Sequence, residues 1–144
     1  MSRTPSLKMP PHDLDAEAAV LSAVLIDRNA LDAVVGFLRA EHFYSEAHRR
    51  IYEACVELTQ ASQPVDVVQV ASWLRSRERL QQVGGLPYLT EVLNAAPAVT
   101  NAKAYGETIH QKWRVRELIA TCQRIAAEGY LQPDDTQSYL DRAE

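Results

Sequence analysis

The stretch from residue 101 to residue 128 reads NAKAYGETIHQKWRVRELIATCQRIAAE, and it decides the fold. It contains no proline, and its only glycine is Gly106. Gly129 follows where a helix commonly ends on a left-handed residue. These 28 residues read as one helix, roughly 42 Å long at about 1.5 Å per residue. The 100 residues before it would pack into a sphere about 33 Å across. The helix is therefore expected to overhang its own domain. Ala102, Tyr105, Ile109 and Trp113 form the apolar stripe of its first half. Val115, Leu118, Ile119, Cys122, Ile125 and Ala126 form that of the second. An apolar stripe on an overhanging segment needs something to cover it.

Downstream, Pro133-Asp134-Asp135 reads as a turn, and Asp135 or Thr136 can cap a last helix with Tyr139, Leu140 and Ala143 as its apolar positions. The sequence stops at Glu144 after barely two turns. A helix this short is marginal alone. The expectation is a helical hairpin with a truncated second arm, in a chain that is a piece of something longer.

Upstream, the period is also helical. Asp13 is a good N-cap, with Asp15 and Glu17 in the first turns where the helix dipole favours acids. Val20, Leu21, Val24 and Leu25 form one buried face. After the break at Asp27-Arg28-Asn29 a short helix turns Leu31, Val34, Val35 and Leu38 inward. Ser45 caps a third helix carrying Ala47, Ile51, Cys55 and Leu58 on one face. Asp66 and Gln69 form a variant capping box for a fourth, lined by Val67, Val70, Ala71 and Leu74. Gly84-Gly85 is a turn, and a fifth helix over 86–95 presents Leu86, Leu89, Val92 and Leu93 before Ala95-Ala96-Pro97 closes it. The expected fold is all-α: a flexible, proline-punctuated lead over 1–12, a multi-helix globular bundle over 13–100, and the long helix with its partial hairpin over 101–144.

Composition narrows the function. The chain is 47% hydrophobic and 24% charged, with a net charge of −4, ordinary for a soluble globular domain. No apolar run approaches the ~18 residues a membrane helix needs, and no signal peptide is present. The two cysteines make no disulfide framework, so a reducing, cytoplasmic setting is expected. Residues 13–66 carry −6 and residues 101–127 carry +3. No segment is basic enough for a strong duplex-DNA footprint.

Catalytic signatures are lacking. None of the five glycines precedes a lysine, so no P-loop cradles a nucleotide phosphate. His42 and His48 stand near Glu41 and Glu46, but no i, i+4 histidine pair supports a metal. Cys55 and Cys122 lie on apolar stripes and read as core or interface residues rather than reactive thiols. Arg75, Arg77 and Arg79 can form a basic patch or simply complement a helix C-terminus. Lys112 and Arg116 share a face and could meet phosphate, though Arg114 does not join them. Trp73 is open between core residue and exposed partner anchor.

Pro11-His12-Asp13-Leu14-Asp15-Ala16-Glu17, followed by Val20-Leu21 and Asp27, resembles the opening of the bacterial replicative DNA helicase (DnaB-type) family. His42-Phe43-Tyr44 and His48-Arg49-Arg50-Ile51-Tyr52 resemble a second block. Pro64-Val65-Asp66 and Val83-Gly84-Gly85-Leu86-Pro87-Tyr88-Leu89 resemble a third, and Asn101, Ala104-Tyr105 and Val115-Arg116-Glu117-Leu118 continue the register. Each block alone is weakly specific; their order and spacing across residues 10–144 are quite specific. The resemblance implies a non-catalytic N-terminal domain: an all-α bundle plus a hairpin, six copies of which build a collar above a RecA-like motor ring and support primase docking. ATP and Mg would belong to the motor domain, which this sequence lacks, as would most DNA contact. A helicase loader is a further expected partner, and a membrane is not. The expected self-association face is Leu118, Ile119, Cys122, Ile125, Ala126 and Leu140. The partner surface, if any, is Trp73, Arg75, Arg77 and Arg79. A small DNA-binding helical module is the alternative, and a small enzyme a distant third.

Overall fold

Short polar side chains start most of the helices. Asp13 accepts the Ala16 amide at 2.9 Å and opens α1 (Leu14–Ile26). Asp27 closes α1 and, by accepting the Asn29 amide at 2.9 Å, opens α2 (Arg28–Val34). Ser45 accepts the His48 amide to start α3 (Glu46–Gln60), and Asp66 the Gln69 amide to start α4 (Val67–Ser76). α5 (Gly85–Leu93) has no side-chain cap. Its entry needs Gly84, whose φ of +109° is left-handed and whose Cα lies so close to Tyr88 that an added Cβ would come within 2.7 Å of Tyr88 Cβ. α6 spans Ala102–Tyr130 and α7 spans Thr136–Ala143. A 3-10 turn, Ala40–His42, links α2 to α3.

The computed structural model describes residues 9–95, 101–131 and 134–144, and among them every regular element is helical. Most of the expected lead, the closure at Ala96-Pro97 and Pro133 of the last turn lie outside the described residues. The chain divides into two compact units, His12–Trp113 and a second formed by residues 9–11 with Arg114–Glu144. The division falls inside α6 rather than before it.

In the first unit α1 packs against α2, α3 and α5, while α4 packs against α3 and α5. Its core holds Val20, Leu21, Val24, Ile51, Tyr52, Cys55, Val70, Leu74, Leu89 and Ile109. Two expected inward residues are not inward. Val35 follows the last residue of α2 and is 44% exposed, and Leu86 sits in the first turn of α5 at 47%. At both places the helix is too short for the 3.6-residue period to bind every apolar position to the core.

One polar network runs through this core. Glu17 is 1% exposed, and its carboxylate accepts the Tyr44 amide at 2.7 Å, the Ser45 amide at 3.3 Å and His48 Nδ1–H at 2.7 Å. His48 Nε2 lies 2.7 Å from the Tyr88 hydroxyl. In the neutral ring Nε2 accepts from that hydroxyl, because Nδ1 carries the proton given to the carboxylate. Burial, then the negative charges of Glu91 and Glu17, push the Tyr88 hydroxyl above its usual range. Burial raises the Tyr52 hydroxyl as well, and it donates to the Leu38 carbonyl at 2.8 Å. A buried carboxylate without donors would be costly; here three N–H groups from one loop and one helix satisfy it.

Candidate functional site

The candidate self-association face lies in the second unit, on the C-terminal half of α6 and on α7. At about 100° per residue, Ile125, Leu118, Cys122, Val115, Ala126 and Ile119 fall within an arc of about 120°. Helical geometry alone sets that stripe. Most of it has no cover: Leu118 is 63% exposed and Ile119 39%, while Val115, Cys122 and Ala126 are exposed and Ile125 is half-buried.

α7 closes back onto one margin of the stripe. Asp135, not Thr136, is its cap and accepts the Ser138 amide at 3.0 Å. Tyr139 reaches across and donates its hydroxyl to the Ile125 carbonyl. Arg142 pairs with Glu128 at 3.3 Å. Gly129 proves not to terminate α6; it is inside the helix, and a Cβ there would lie 2.5 Å from the Tyr139 hydroxyl oxygen. Its role is close approach of a side chain, not a left-handed turn. Leu140, 50% exposed, projects from α7 beside this contact. At the start of the unit Arg116 donates to the Pro11 carbonyl at 2.8 Å.

The second set of sequence candidates lies on the first unit and is mostly engaged there. Trp73 is in the core, which supports the core reading over the exposed anchor, and the Arg77 guanidinium lies 3.8 Å over its ring. Arg77 is 3.8 Å from Glu57, Arg79 is 3.2 Å from Glu53, and Arg75 is exposed. The two arginines paired with glutamates are not set up as a phosphate cradle.

The histidines take structural roles. His42 Nδ1 accepts the Arg39 amide at 3.0 Å, and its ring packs 4.3 Å from Trp113 and 4.8 Å from His110 between ring centroids. No group of His, Cys, Asp or Glu able to hold a metal occurs among the described residues. No helix of the described chain is long and apolar enough to cross a membrane. Cys55 is buried, and burial pushes its thiol up to about 12. Cys122 is exposed and lies on the uncovered stripe.

The family described as DnaB-like helicase N terminal domain matches residues 9–111. The replicative DNA helicase DnaB of Geobacillus stearothermophilus is 37% identical over the whole chain, which spans 32% of that relative's length. The crystal structure of the N-terminal domain of DnaB helicase from Mycobacterium tuberculosis superposes with a TM-score of 0.88 at 34% identity, covering 94% of this chain and 95% of that one. A DnaB-like replicative helicase whose structure was described with its interactions with primase gives a TM-score of 0.71 at 29% identity, covering 92% of this chain and 32% of that one.

Proposed function

Because this chain belongs to the DnaB-like helicase N-terminal domain family, we propose that it is the assembly and partner-docking module of a hexameric replicative DNA helicase. The chain spans about a third of the relative's length, so unwinding, ATP hydrolysis and its Mg belong in this reading to a motor domain outside these 144 residues. The module itself does no chemistry. It self-associates through the hairpin, contributes to an N-terminal collar, and offers a surface to primase, in keeping with the primase interactions described for the similar helicase. A cytoplasmic setting, a helicase loader as a further partner and DNA contact mainly through the motor belong to the same reading.

The observation that carries the proposal is the uncovered stripe of Leu118, Ile119, Cys122 and Ala126 on α6, with Leu140 also exposed on α7. Contiguous exposed apolar surface of this kind marks an interaction site. A second copy is the economical cover, because a two-fold contact buries each stripe against its own equivalent. Burying the exposed part of Leu118 is worth about 1–2 kcal/mol per copy. Leu118→Asp counts twice in a two-fold dimer and is expected to raise the dissociation constant by about 30- to 1000-fold. Light scattering on the variant should show the loss of self-association while circular dichroism keeps its helical signal. Collapse of the helical signal would make the stripe intramolecular core and defeat the proposal.

A further inference from the structure

The side chains that tie α1, α3 and α5 together are also a carboxylate, an imidazole and a hydroxyl in series. Glu17 meets His48 Nδ1 at 2.7 Å, and His48 Nε2 meets the Tyr88 hydroxyl at 2.7 Å. This is the order in which a positioned base activates a nucleophile: the acid orients the ring, and the ring's far nitrogen accepts the nucleophile's proton. Glu17 and His48 are 1% and 2% exposed, whereas Tyr88 is half-buried, so the residue that bears the hydroxyl is the one that reaches the surface. Tyr52 and Tyr139 are placed differently. Their hydroxyls donate to the Leu38 and Ile125 carbonyls, which take up no proton.

The series is held in register at both ends. The Tyr44 and Ser45 amides fix the Glu17 carboxylate. At the other end Gly84 packs against Tyr88 Cβ, and the Tyr88 ring lies within 18° of parallel to the His48 ring. Burial, then the charges of Glu91 and Glu17, keep the Tyr88 hydroxyl protonated, so a reaction there needs the base. Once His48 takes that proton, its imidazolium faces the Glu17 carboxylate across an existing hydrogen bond, shielded from water, where opposite charges attract strongly.

We propose that Tyr88 is a modification site, a nucleophile that accepts an acyl group from an activated acyl donor, with His48 as its base and Glu17 positioning that base. Tyr88 Oη forms a bond to the acyl carbon, the bond from that carbon to the leaving group breaks, and the phenol proton passes through His48 Nε2 to the leaving group. The group is taken up once per chain, without turnover. All three residues belong to the first unit, so the test does not depend on self-association. The probe is N-acetylimidazole, applied to the whole chain at neutral pH, with acetylation of each tyrosine followed by peptide mass spectrometry and confirmed as an ester by its removal with hydroxylamine. Tyr130, 88% exposed, is the internal reference. Tyr88 is expected to react about tenfold or more faster than Tyr130, the part of a general-base gain of about 10²–10⁴ that survives half-burial. His48→Gln should slow Tyr88 by about tenfold or more and leave Tyr130 as it was, with circular dichroism reporting the fold. A second measurement needs no variant: in urea sufficient to unfold the chain, the two tyrosines should react at about the same rate, since the series is then broken. A native Tyr88 that reacts no faster than Tyr130 would overturn the proposal. So would a folded His48→Gln protein labelled at the wild-type rate, or a Tyr88 advantage that survives unfolding.

Discussion

Replacing Glu17 should cost more than any single hydrophobic truncation of comparable size on the surface of this unit. Glu17→Ala leaves the Tyr44 amide, the Ser45 amide and His48 Nδ1–H without their acceptor. Each stranded donor costs about 1–3 kcal/mol when buried. Tyr44 and Ser45 are half-buried, so water recovers part of their loss, and the total comes to about 3–5 kcal/mol. That is a large share of the roughly 5–15 kcal/mol by which a domain is stable. Glu17→Gln separates charge from shape. Its amide has one acceptor oxygen, whereas the carboxylate uses Oε1 for Ser45 and His48 and Oε2 for Tyr44. Whichever way the amide turns, its NH₂ faces an N–H donor, and the expected cost is about 1–3 kcal/mol. Urea unfolding with a shared m-value measures both, and the order should be wild type, Gln, Ala. If both variants fall within about 0.5 kcal/mol of wild type, the usual scatter of neutral surface changes, the network is not what orders the α1, α3 and α5 junction.

Two further outcomes follow from the hairpin and the thiols. Gly129→Ala gains helix propensity in α6 but drives a methyl into Tyr139; hydrogen exchange should show α7 amides opening about fivefold or more faster as the Ile125 contact, worth about 1 kcal/mol, is lost, and unchanged α7 exchange would show that Tyr139 does not hold the arm. A thiol reagent should label one cysteine, Cys122, in the native protein and the second, Cys55, only on unfolding, because the Cys55 thiol is buried and held protonated; two equally fast thiols would contradict the packing of α3.

What is legible in the sequence is local. Asp13, Ser45 and Asp66 act within three residues of themselves, so their spacing alone marks the caps. The stripe on α6 is equally legible, since helical period alone arranges it. Local spacing gives Glu17 only the part of a complement to a helix dipole, and His48 that of a helix-start residue. Their true partners are 27 to 40 residues away, and no local pattern reports a pairing across that distance. A glutamate on a mostly apolar first helix that is buried on nearly every face is the one sign of it. Gly129 misleads for a related reason: glycine serves both for left-handed backbone and for close approach, and only the position of Tyr139 distinguishes them. Val35 and Leu86 show the limit of periodicity at helix ends, where the face turns past the neighbour that should cover it.

In the proposed function, the α6 stripe is a face for a second copy of the chain. Sedimentation equilibrium over a concentration series, from low to high micromolar, tests it most directly on the unaltered protein. A self-associating face gives a reversible rise in mass toward a dimer or a higher species, with Cys122 labelling slowing in step. A single monomer mass across the whole series, with Cys122 labelling at one rate throughout, would contradict it.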